Sequence, residues 1–138
     1  MSDTTITPVR PDVDIQNDIE EIIVHYPPLQ QDRHHVQVRV QSGNVALSGH
    51  VRTPITRRYL LERVRAIADV AEVDAESLHS EEEIRLAAGG VVPNGVLVNV
   101  RYGTLILNGT LPEGVSAEDV VRNVSQIPGV ERVMVSFA

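Results

Sequence analysis

The sequence predicts an α+β protein built from two tandem units, each running helix–strand–strand–helix–strand (αββαβ). Three observations carry this. The first is an internal repeat: residues 36–73 lie over residues 96–133 without a gap, and ten of the 38 positions are identical. Roughly two to four would match by chance in a Val-rich chain, and a fixed period must be settled before any other reading of a fold. The second is a change of hydrophobic period inside each copy, from two to about 3.6. The third is a helical pattern ahead of each copy.

Residues 1–11 carry Thr and Pro without periodicity and read as a flexible N-terminal arm. Ile15, Ile19, Ile22, Ile23 and Tyr26 then recur at helical spacing, and Asp12, Asp14 and Asp18 suit the positive end of a helix. Pro27 and Pro28 stop it, because proline lacks the amide donor and clashes with the preceding turn. Val36, Val38 and Val40 alternate with polar residues, the period of a strand with one buried face. Gly43 breaks the run before Val45 and Leu47 resume it, and Gly103 does the same in the second copy. Both glycines mark hairpin turns that need positive φ. Gly49 and Gly109 fall within the second strands, where a glycine marks a bulge or a close backbone approach. The expectation is room for a crossing helix.

Helical spacing follows: Ile55, Leu60, Leu61, Val64 and Ile67 in one copy, and Val115, Val120, Val121, Val124 and Ile127 in the other. Pro54 fits a first helical turn and Ser116 an N-cap. A third strand begins at Val70 and Val130. The second unit's leading helix is signalled by the capping pair Ser80 and Glu83 and ends at Gly89-Gly90. The division expected is an arm over 1–11, unit 1 over 12–78 and unit 2 over 79–138. Residues 77–79 form a connector too short to be flexible. Each unit alone is marginal, since a chain of about 60 residues buries only about 60% of its unfolded surface.

The twice-repeated VxVxxG turn, the LxG of the second strand (Leu47 to Gly49, Leu107 to Gly109) and the IxxVxxV end of the helix (Ile67, Val70, Val73; Ile127, Val130, Val133) resemble a tandem pair of BON domains. This family takes its name from bacterial osmotically induced periplasmic and nodulation proteins. The resemblance covers about residues 12–138. It implies a small three-stranded mixed sheet with two helices on one face. It further implies a non-enzymatic module that binds phospholipid membranes or anchors to an envelope.

Composition narrows the function. Without cysteine there is no disulfide, thiolate metal site or cysteine nucleophile. His25, His34, His35, His50 and His79 are scattered, so no metal or cofactor is expected. No serine sits in a nucleophile elbow and no glycine run forms a phosphate loop, so no catalytic residue is assigned. Phe137, Tyr26, Tyr59 and Tyr102 are the only aromatics, too few for a stacking platform, so no nucleic-acid partner is expected. No apolar run or signal-peptide core is present, so the chain as written reads as cytosolic, and as envelope-associated if a leader has been removed.

Net charge is −7, and all twelve cations are arginine. Eight Arg against nine acids leave residues 1–69 at −1, and four against ten leave residues 70–138 at −6. Arg52, Arg57, Arg58, Arg63 and Arg65 crowd one stretch of unit 1 and are candidates for binding anionic phospholipid. The competing reading is a solvated helix face with arginine stems over apolar surface. With helices on the valine face, the opposite face of unit 1 is polar, with Gln37, Arg39, Ala46, Ser48 and His50. That of unit 2 carries Leu97, Ile106 and Met134. These three read as an interface covered by unit 1, by a second copy in a homodimer, or by a protein partner. Two function classes follow: an adaptor recognising anionic phospholipid through unit 1, or a self-associating protein scaffold acting through unit 2.

Overall fold

A computed structural model describes residues 9–138. Most of the expected N-terminal arm lies outside that range. Arg10 is tied down, with its backbone N–H on Asp69 (3.1 Å) and its guanidinium on Asp18 (2.7 Å).

Unit 1 comprises α1 (Asp12–His25), α2 (Pro27–Asp32), a 3₁₀ turn (Arg33–His35), β1 (Val36–Gln41), β2 (Asn44–Val51), α3 (Pro54–Arg65) and β3 (Glu72–Ser80). Unit 2 comprises α4 (Glu81–Gly89), β4 (Val96–Arg101), β5 (Thr104–Gly109), α5 (Ala117–Val124) and β6 (Arg132–Phe137). In each sheet the middle strand, β2 or β5, pairs antiparallel with the strand before it and parallel with the strand after the helix. The result is two mixed three-stranded sheets, as the resemblance to BON domains implies. Ile15, Ile19 and Leu60 of the unit 1 helices lie on Val45 and Leu47 of the sheet. Ile84, Ala88, Val120 and Val124 pack likewise on Leu105 and Leu107 in unit 2.

The caps act where expected. Ser80 Oγ accepts from the Glu83 amide at 3.3 Å and Ser116 Oγ from Glu118 at 3.1 Å. Thr53 Oγ1 caps α3 through the Thr56 amide at 3.2 Å. Both hairpins turn with positive φ at two successive residues, Ser42-Gly43 and Tyr102-Gly103, the twist that suits a two-residue hairpin.

Four expectations need correction. Pro27 and Pro28 end α1 but also begin α2, because proline's fixed φ suits a first helical turn. Ile55 is 68% exposed and takes no part in the core. Gly49 and Gly109 make no room for a helix. They admit the carbonyls of His35 and Gly95, and a Cβ would lie 1.9 Å and 2.2 Å from those oxygens. Residues 77–79 are strand, and β3 passes into α4 with no residue between them. A register shift opposite Ala46 and Ser48 places one extra residue in β3. That extra residue changes the phase of the strand, so that Ala75 and Leu78 both face the core. The break in alternation hid the second half of β3.

Candidate interaction surfaces

Two surfaces concentrate the chemistry of the chain: the junction between the units and the sheet faces left free by the helices.

The junction is built around Asp32, the last residue of α2, whose side chain is fully buried. Its carboxylate accepts the Tyr102 hydroxyl at 2.8 Å and the Arg52 backbone N–H at 3.1 Å. The Arg52 guanidinium stands 3.8 Å away and donates to Gln31 Oε1 at 3.3 Å. Tyr102 occupies the hairpin turn of unit 2 at φ 45°, an uncommon conformation for an aromatic residue. Its ring stacks on His35 at 3.5 Å between centroids, and its amide donates to the Glu81 carboxylate. Burial pushes the Tyr102 hydroxyl's pKa up, and its hydrogen bond to Asp32 adds to the shift. The Tyr102 hydroxyl first, and then Asp32 and Glu81, hold the Arg52 guanidinium in its charged form.

Histidines complete the junction. His50, expected on a solvated face, is only 4% exposed, and its Nε2–H donates to the Gly129 carbonyl at 2.7 Å. The unit 2 turn covers it, and a Cβ on Gly103 would lie 2.7 Å from the His50 ring. His79 lies beside it, 6.0 Å between centroids, and a Cβ on Gly129 would lie 2.7 Å from the His79 ring. Burial lowers the His79 pKa, and the nearby His50 and Arg57 add to the shift. The folded ring therefore resists a proton that the unfolded ring accepts. Its contribution to stability is complete above the unfolded value of 6.5 and is lost as pH falls below it. Thermal melts should show lower stability at pH 5.5 than at 7.5. His79→Gln should narrow that difference, and an unchanged pH profile would contradict this account.

The five candidate arginines do not converge. Arg57 donates to the carbonyls of Leu78 (2.7 Å) and Ala75 (2.8 Å), strapping α3 to the bulged part of β3. Arg52 belongs to the junction. Arg63 lies over the Tyr59 ring, 5.1 Å from its centroid, and that ring stacks on Tyr26. Arg58 and Arg65 are exposed and share one face of α3 with Glu62 between them. Among the described residues no three His, Asp or Glu side chains converge as a metal would need, and no helix is long and apolar enough to cross a membrane.

The free sheet faces differ. Strand pairing sets that of unit 2 as three rows: Arg101, Thr104 and Arg132; Asn99, Ile106 and Met134; Leu97, Asn108 and Ser136. Unit 1 does not cover it, contrary to one of the expected covers. Leu97 is 65% and Met134 55% exposed, with Ile106 half-buried. The physical reason is that unit 2 meets unit 1 through the Tyr102 turn and Gly129, at the end of its sheet. The corresponding rows of unit 1 are Gln41, Asn44 and Glu72; Arg39, Ala46 and Asp74; Gln37, Ser48 and Ser77.

In the sequence Tyr102 stands where the other copy has Ser42, but nothing marks Asp32 as its partner 70 residues away. No polar period distinguishes a buried acid at the end of a six-residue helix from a solvated one.

No curated protein matches the chain. Two solved structures from Chlamydia trachomatis align at 18% identity. One is CdsD, a structural protein of the type III secretion system, with 90% of this chain and 91% of that chain covered and a TM-score of 0.39. The other is the C-terminal domain of CdsD, with 94% and 100% covered and a TM-score of 0.36. The sequence model of the BON domain matches residues 11–77, which are α1 to β3 of unit 1. Unit 1 therefore carries the BON-domain match, and unit 2 follows it with the same sheet topology.

Proposed function

We propose that this chain is a non-enzymatic binding module whose working surface is the open sheet face of unit 2, and that its partner is a protein. The supporting observation is the exposure of Leu97 and Met134 on either side of Ile106. Their positions in unit 1 are held by Gln37, Asp74 and Ala46. An apolar cluster on a sheet face is a common mark of a protein-binding surface, and burying each such side chain contributes about 1.5–3 kcal/mol.

A photo-crosslinking amino acid placed at Leu97 or Met134, with the chain in cell extract, tests this. A discrete protein adduct is expected at both positions and not at Val24, an exposed valine on α1. Adducts no more abundant than at Val24 would sink the reading.

A second reading, binding of anionic phospholipid through unit 1, is supported by the exposure of Arg58 and Arg65 on one face of α3. Replacing both with Glu should then abolish flotation with anionic vesicles at low salt. A wild-type chain that ignores such vesicles would eliminate it.

A further inference from the structure

Building on that reading, we infer that the open face of unit 2 binds the open face of unit 1 on a second copy of this chain, so that copies associate head to tail. The two faces are related position by position through the repeat, and at those positions they are opposites. Glu72 pairs with the first residue of β2 and Arg132 with the first residue of β5, so an acid in one unit stands where the other has a guanidinium. The floor of the unit 1 face is Ala46, a hollow where unit 2 presents Ile106. Beside it Asp74 takes the place of Met134.

Charge decides between this arrangement and a symmetric pair of unit 2 faces. The unit 2 rows contain Arg101 and Arg132 and no acid, although residues 70–138 as a whole carry −6. Stacked on itself, that face offers its arginines no counter-charge. The unit 1 face offers Glu72 and Asp74 against its single cation, Arg39. Both faces of one chain stand open to solvent, so the complementary surface is supplied by another molecule. A contact between two different faces propagates rather than closing at a dimer. Three strands about 4.8 Å apart and six residues of about 3.3 Å each make a patch of roughly 300 Å². That is well below the roughly 800 Å² per partner of a stable complex. The association is therefore reversible, concentration-dependent and weakened by salt.

The test is sedimentation velocity on the full chain from about 10 μM to about 1 mM, at low and at physiological salt, ranges chosen to bracket a weak, screened contact. The weight-average mass should climb past that of a dimer with concentration, and less so at the higher salt. Glu72→Arg with Asp74→Arg should hold the chain as a monomer, as should Arg101→Glu with Arg132→Glu. Mixing the two variants should restore association, because each supplies the charge the other lacks, and this control also shows that both are folded. A mass that saturates at two chains and ignores the Glu72/Asp74 reversal would overturn the inference in favour of a symmetric dimer. A monomer at every concentration would overturn it too. Protein adducts at Leu97 would then still support the preceding reading with a foreign partner, and their absence would end both. Flotation with anionic vesicles that depends on Arg101 and Arg132, without self-association, would assign the face to lipid instead.

Discussion

Gly49→Ala is expected to cost about 3–5 kcal/mol, a fifth or more of the stability of an ordinary domain. Two effects add. Gly49 has φ 109°, a backbone region that L-residues enter only under strain. An added Cβ would also lie 1.9 Å from the His35 carbonyl oxygen, and that oxygen belongs to backbone that cannot swing aside as a side chain would. To relieve the clash the 3₁₀ turn must lift off β2, which takes Asp32 and His35 out of the junction. Gly109→Ala should behave alike in unit 2, where the oxygen is that of Gly95 at 2.2 Å. Gly89 is the contrast. It closes α4 with nothing within 4 Å of an added methyl, so Gly89→Ala should be neutral or stabilise by up to about 1 kcal/mol. Urea melts of the three variants check this, and equal midpoints would show that the two strand glycines are incidental.

Asp32→Ala is expected to lower stability by about 3 kcal/mol and to uncouple the units. The substitution removes the acceptor of two hydrogen bonds, and bonds to a charged group are each worth about 1.5–3 kcal/mol. It also leaves the Arg52 N–H and the Tyr102 hydroxyl without their partner. The Arg52 guanidinium adds little to this, because at 3.8 Å and half exposed it is screened by water. Tyr102→Phe removes only one of the bonds and should cost about half as much. Unit 2 has shorter helices and a smaller core than unit 1, and so depends more on the junction. Followed by probes in each unit, Asp32→Ala should unfold in two steps, unit 2 first, where the unaltered chain unfolds in one. A variant that unfolds in a single step with the original midpoint would show that the junction carries no coupling.

What the sequence alone determined is the part of the fold that local rules govern. Valines at period two, isoleucines and leucines at period 3.6, and Ser80 and Ser116 ahead of their helices each act within a few residues. The order of elements along the chain, the hairpins and the caps follow from them. The repeat doubled the information by showing the same grammar twice. The lost elements were those where two local rules collide. Pro27-Pro28 both ends one helix and begins another, and the bulge in β3 shifts the alternation that would have revealed Leu78. The surfaces were decided by the tertiary structure, because they depend on which residues meet across long separations. Asp32 and Tyr102 are 70 positions apart, and His50 reaches Gly129 across 79. A run of five arginines looks like one patch in a sequence. A helix turns successive residues by about 100°, and the carbonyls of a bulged strand then claimed Arg57 while a buried carboxylate claimed Arg52. Whether a side chain is free to bind is a property of its neighbours in space, and those neighbours lie far away along the chain.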